Sequence, residues 1–124
     1  MSALGSHVQE AHHRATEATF QAIAKYLSEA LGTNLVAHMA SVEPKTVRRW
    51  SDEGVRPRGG ASERRLRAAY QVFQLLLARD SEHTVRAWFI GLNPQLDDSS
   101  PAEAIREDRL REVMTAAKSF ALGG

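Results

Sequence analysis

The sequence contains no cysteine. That absence removes disulfide scaffolds, thiolate zinc sites, iron–sulfur clusters and cysteine nucleophiles together. No apolar run approaches the roughly eighteen residues needed to cross a bilayer. The start, Met1 to His7, lacks the basic and apolar regions of a signal peptide. A cytoplasmic address with no membrane partner is therefore expected. No segment alternates with period two over a useful length, so no sheet is expected. Internal repeats and low-complexity tracts are also missing. What remains is ordinary for a folded domain: 124 residues, of which 43% are hydrophobic and 25% charged. A chain of this size buries roughly two thirds of its unfolded surface, enough for one helical core.

Charge of one sign hardly dominates either, with a formal net charge of +1. The total conceals a segregation. Between Lys45 and Arg67 the basic residues Lys45, Arg48, Arg49, Arg56, Arg58, Arg64, Arg65 and Arg67 outnumber Asp52, Glu53 and Glu63. Between Asp97 and Glu112 the order is reversed: Asp97, Asp98, Glu103, Glu107, Asp108 and Glu112 outnumber Arg106, Arg109 and Arg111. Thirteen of the sixteen basic residues are arginine, the side chain that makes planar two-point contacts with phosphates and guanine edges. A solvated, salt-bridged helix surface would use the same residues.

Apolar spacing of threes and fours predicts a helix over Val8 to Leu31, ended by Gly32. Two short helical stretches follow, Asn34 to Ala40 and Pro44 to Ser51, and then a loop from Gly54 to Gly60. Ser62 is expected to cap a helix that buries Leu66, Ala69, Tyr70, Phe73, Leu76 and Leu77, and Ser81 another with Val85, Trp88, Phe89 and Leu92 inward. Asn93 precedes Pro94 and is pushed out of the helical region, which stops that helix. After the loop Gln95 to Ser99, the run Ser100-Pro101-Ala102-Glu103 reads as a capping box. There the serine oxygen serves the third amide, the glutamate reaches back, and proline takes the first helical position. Leu110, Val113, Met114, Ala117 and Phe120 continue the spacing to Gly123. The expected fold is an all-α, compact bundle. Residues 1–61 carry an N-terminal helix and a helix-turn-helix, and residues 62–124 form a second helical region.

The stretch Leu31 to Asp52 carries the most demanding pattern. A helix-turn-helix needs a very small residue where its two helices cross, and Val36, Ala37 and Ala40 supply it. Val42 plugs the turn, and Val47 and Trp50 make the buried side of the second helix. Ser41 stands where such turns usually carry glycine, at a position that favours a left-handed backbone. With Val47 and Trp50 inward, Lys45, Thr46, Arg48, Arg49 and Asp52 point outward. In this motif that face enters the major groove of double-stranded DNA, while Arg56 and Arg58 in the following loop suit phosphates. A monomer reads few base pairs, so a homodimer is expected. A helical hairpin with a solvated basic face, or one that docks an acidic protein partner, are the alternatives.

Enzyme chemistry finds little support. His12 and His13 diverge by about 100° on a helix and do not share a metal site, and no second ligand cluster lies at suitable spacing. His38 sits beside the helix crossing and reads as a surface residue or a core-edge donor rather than a catalyst. Arg58-Gly59-Gly60 lacks the lysine and flanking glycines of a phosphate-cradling loop. No catalytic residues, metal or cofactor are expected.

The run Trp88-Phe89-Ile90-Gly91-Leu92-Asn93-Pro94-Gln95-Leu96 precedes Ser100-Pro101-Ala102-Glu103-Ala104-Ile105 and then Val113 to Phe120. This order of a tryptophan helix, an Asn-Pro-x-Leu turn and a proline-started helix resembles the toxin-binding domain of the Xre/MbcA/ParS family of bacterial antitoxins. A helix-turn-helix upstream completes that family's organisation, so the resemblance covers about Leu31 to the C-terminus. It implies a toxin-binding-like region over 62–124, and a type II antitoxin that neutralises an RES-domain, NAD-degrading toxin and represses its own operon. Carried over, Trp88, Asn93, Pro94, Leu96 and Pro101 would shape the toxin-binding domain. Phe120, Ala121, Leu122, Gly123 and Gly124 would block the toxin's active site. Where the family often has a glycine between the proline-started helix and the last helix, this chain has Glu107-Asp108. A stand-alone helix-turn-helix transcriptional regulator or nucleoid-associated DNA-binding protein is the alternative.

Overall fold

The computed structural model describes residues 3–123. Among these residues the fold is all-α, with eight helices, one short 3-10 turn and no strand. None of the helices is long and apolar enough to cross a membrane.

The first helical stretch departs from its sequence reading. The chain breaks at Ala18 and Thr19, so that α1 (Ala3–Glu17) and α2 (Phe20–Leu31) are separate helices. Thr19 takes extended backbone, and its hydroxyl accepts a hydrogen bond from the Ala22 amide at 3.1 Å. Such a cap stabilises a helix start by about 1 kcal/mol. The apolar spacing runs through the break because Ala11 and Ala15 of α1 and Phe20, Ile23, Ala24 and Leu27 of α2 are all buried in the fold. Gly32 ends α2 with φ +93°, a conformation glycine adopts without strain.

Helices α3 (Thr33–Ala40) and α4 (Pro44–Glu53) follow closely, and after the loop comes α5 (Ala61–Leu77). Ser62 does not cap α5. It lies inside the helix, buried, and its hydroxyl donates to the Ala40 carbonyl at 3.1 Å. The bond ties the end of α3 to the start of α5. Helix α5 is the centre of the molecule and packs against α1, α2, α3, α6, α7 and α8. Its burial accordingly exceeds one stripe: Leu66, Ala69, Val72, Phe73, Leu75 and Leu76 are all buried, while Tyr70 and Leu77 are half-buried at its margin.

Helix α6 (Glu82–Ile90) starts at Ser81, whose hydroxyl accepts from the Thr84 amide as expected. It stops at Ile90, before Asn93, so Leu92 is not on its inner face and stands 78% exposed. The 3-10 turn Pro94–Leu96 then leads to α7 (Pro101–Arg106) and α8 (Leu110–Ala121). Half of the expected capping box is present: the Ser100 hydroxyl accepts from the Glu103 amide at 3.0 Å. The Glu103 carboxylate turns away from the cap and pairs with Nε2 of His38 on α3. The break between α7 and α8 falls at Asp108, which adopts φ +63°.

Aromatic edges link the layers. Phe73 of α5 lies 5.6 Å from Tyr26 of α2 and 6.0 Å from Phe89 of α6, and Trp88 reaches Phe120 of α8 at 6.2 Å. Arginines hold the rim. Arg67 donates to the Ala15 and Ala18 carbonyls at 2.7 and 2.9 Å and to Glu63 at 2.8 Å. Truncation of Phe73 to alanine should cost about 3–5 kcal/mol, whereas Leu92→Ala should stay within about 0.5 kcal/mol. Arg67→Ala, which leaves the Ala15 and Ala18 carbonyls without this donor and Glu63 with only the longer contact from Arg56, should cost about 2–3 kcal/mol. Urea denaturation of the three variants checks all three values, and a Leu92→Ala loss comparable with Phe73→Ala would contradict this placement of α6.

Candidate functional site

Helices α3 and α4 are joined by the three residues Ser41 to Glu43. Val36, Ala37 and Ala40 are buried at the end of α3, and Val47 and Trp50 on the inner side of α4. Trp50 meets Phe20 edge-on at 5.2 Å, an arrangement aromatic pairs favour. Val42, between the helices, is half-buried and packs on the core. These six apolar positions lie where the spacing puts them.

The turn closes by two backbone bonds, from Ser41 N–H to the His38 carbonyl at 3.2 Å and from Val42 N–H to the Ala37 carbonyl at 3.0 Å. This pairing needs a left-handed residue just past the helix. Ser41 provides it at φ +63°, ψ +46°. Asp108 does the same after α7: its amide bonds to the Ile105 carbonyl and that of Arg109 to the Ala104 carbonyl. Helix α4 begins at Pro44, with Glu43 in extended conformation before it and no side-chain cap.

Lys45, Arg48, Arg49 and Asp52 are exposed on the outer face of α4, and Thr46 is half-buried at its edge. The spacing of 45, 48, 49 and 52 keeps them on one side of the helix. Arg56 and Arg58 are exposed in the loop that follows. The face divides into two flanks. Arg48 lines an open cleft of about 510 Å³ together with Arg86, Leu35 and Ile90. Thr46, Arg49, Arg56 and Arg58 line another of about 330 Å³. Arg86, which the sequence reading did not single out, is placed by a bond from its Nε to the Ala30 carbonyl at 2.9 Å.

Two further arginines of the basic block serve the fold, while Arg64 is exposed. Arg65 makes two 3.0 Å bonds to the Asp108 carboxylate and reaches the Ala40 carbonyl. Arg67 is held as described above. The acidic block is also partly neutralised. Arg109 bonds Asp97 at 3.1 Å and Glu112 at 2.9 Å. The hydrogen bond from Arg109 holds the Glu112 carboxyl below the usual carboxylate range, and Glu112 in return raises the Arg109 guanidinium.

In the C-terminal half, Trp88, Leu96 and Pro101 are buried, and the Asn93 side chain accepts from the Gln95 amide at 2.9 Å. Pro94 is exposed at the start of the 3-10 turn. Phe120 is half-buried against Trp88 and Ala121 is buried, so both belong to the packed body. Leu122, at 68% exposed, and Gly123 project from it. Gly124 lies outside the described residues. Two apolar side chains beside this region are exposed: Ile90 at 59%, and Leu92 at 78% where the spacing puts it inward. Leu92 fits a three-and-four spacing, but Gly91 just before it caps α6 and is the local signal that the helix has already ended. Among the described residues no three or more His, Asp or Glu side chains gather as a metal site would need.

Compared with protein-family models, curated proteins and solved structures, the chain gives no significant match.

The two left-handed residues separate backbone strain from side-chain bonding. Ser41→Gly relieves the strain and loses no side-chain hydrogen bond, so after the entropy glycine gains in the unfolded chain it should stabilise by about 0.5–1 kcal/mol. Asp108→Gly relieves the same strain but removes both bonds from Arg65, and should give no gain. Thermal melts of the two variants should therefore move apart.

Proposed function

We propose that this chain is a DNA-binding antitoxin of the Xre/MbcA/ParS type, which neutralises an RES-domain toxin and represses its own operon. The observation that carries the DNA-binding half is the α3–turn–α4 unit. Val47 and Trp50 anchor α4 to the core while Lys45, Arg48 and Arg49 stand free on its outer face. On this reading α4 lies in the major groove. Arg48 and Arg49 read base edges, Thr46 and Lys45 support them, and Arg56 and Arg58 bind flanking phosphates. Groove recognition over two half-sites calls for a homodimer, with double-stranded operator DNA as its partner.

The toxin-binding half rests on the resemblance and on the order of elements α6, 3-10 turn, α7 and α8. A further point favours it. Asp108 has the left-handed backbone at the junction where the family often carries glycine. Trp88, Asn93, Leu96 and Pro101 then shape the domain from within, and Pro94, Leu122 and the glycines after it remain for contact. The packing of Phe120 and Ala121 into the body favours the second reading, a stand-alone helix-turn-helix regulator, because it removes two residues from the proposed blocking segment. Neither reading assigns an enzymatic role or a cofactor.

Arg48→Ala and Arg49→Ala should each weaken binding to a duplex from the gene's own promoter by about 1–3 kcal/mol. The logarithm of affinity should fall linearly with the logarithm of salt concentration. Unchanged affinity in both variants removes the DNA assignment. Deletion of residues 122–124, which spares Phe120 and Ala121, should release a co-expressed RES-domain toxin while duplex binding persists. Continued neutralisation by the truncated chain places the blocking contact elsewhere.

A further inference from the structure

Three guanidinium side chains line one concavity. Arg49 of α4 and Arg56 and Arg58 of the 54–60 loop surround the cleft of about 330 Å³, whose apolar lining is Val42, Trp50 and Val55. No carboxylate lines it. Arg56 has Glu63 at 3.4 Å, but the same carboxylate is bonded to Arg67 at 2.8 Å, so its charge is shared. Among the described residues Arg49 and Arg58 have no acidic partner. Cations gathered around one cavity repel each other, and an anion placed between them relieves that repulsion.

The shape narrows the choice of anion. Guanidinium groups bind phosphate oxygens in planar pairs and also stack on flat rings. Val55 keeps 46% of its surface exposed beside them, an apolar area that a bare phosphate leaves wet. The phosphates of a duplex lie on a ridge and bring no apolar body into a recess. A small organic phosphate brings both parts, and the cleft volume falls in the lower range of small-ligand sites.

From this we infer that the cleft between α4 and the 54–60 loop binds a small organic phosphate of nucleotide size. Its phosphate sits among Arg49, Arg56 and Arg58, and its flat body covers Val55. Occupancy removes the cations that duplex DNA would use, so the ligand competes with DNA. That competition alone rests on the proposed function.

Adenosine 5′-monophosphate is a suitable probe for isothermal titration of the full chain at low salt. It should bind once per chain, at least tenfold more tightly than adenosine or inorganic phosphate. Arg58→Ala and Val55→Glu, both at exposed loop positions, should weaken it at least tenfold while thermal melts stay near wild type. Arg79→Ala, an exposed arginine beyond the opposite end of α5, should leave it unchanged. Equal binding of adenosine, equal binding of inorganic phosphate, or an equal loss in Arg79→Ala overturns the site. A duplex bound by wild type should be displaced by the nucleotide. Nucleotide binding without any duplex binding keeps the cleft and removes the DNA reading; duplex binding without nucleotide binding does the reverse.

Discussion

Helix ends held by guanidinium groups are the interaction on which this fold depends. The last carbonyls of a helix have no partner within it and carry the negative end of its dipole, so a cation that donates to them satisfies both demands. The end of α1 is met by Arg67, that of α2 by Arg86, and that of α3 by Arg65 and Arg106, with Arg106 on the His38 carbonyl at 2.7 Å. These arginines come from α5, α6 and α7, so each bond spans the chain from its second half to its first. Short helices of eight to fifteen residues form poorly alone. Here they end against donors that the core holds in place.

That arrangement explains which parts of the sequence are legible. Periodicity locates the apolar faces correctly, and the α3–α4 spacing predicts six buried or half-buried side chains. The same periodicity hides the break at Thr19 because both helices face one core, and a register that suits the core carries no mark of where the backbone turns. The break at Asp108 carries no mark in the spacing either, and only the resemblance puts a junction at Glu107-Asp108. Aspartate tolerates the left-handed backbone better than most residues, yet only the packing of Arg65 on its carboxylate shows why the turn falls there. Ser62 illustrates the converse, since a residue with the right chemistry for a cap finds a better use for its hydroxyl on the Ala40 carbonyl.

Side-chain partners across the fold are the least legible feature. Glu103 has the spacing of a capping box and still turns to His38, 65 positions earlier in the chain. Leu92 is apolar and in phase and still faces water. In each case the local pattern is sound, and a tertiary contact or an early helix end overrides it. The outward residues of α4 are legible for the opposite reason: once Val47 and Trp50 are fixed inward, helix geometry alone dictates where Lys45, Arg48 and Arg49 point.

The near-neutral charge acquires its meaning from the same sorting. The basic and acidic blocks do not stay apart, because Arg65 of one is locked to Asp108 of the other and Arg109 sits among Asp97, Glu107 and Glu112. Arginines that meet carbonyls and carboxylates are used up by the fold. Those on α4 and the loop after it have no such partner apart from the shared contact of Arg56 with Glu63. Their charge is therefore surplus to stability. On the proposed function, the counter-charge for these cations comes from another molecule, whereas five other arginines of the chain are placed on carbonyls by the fold itself.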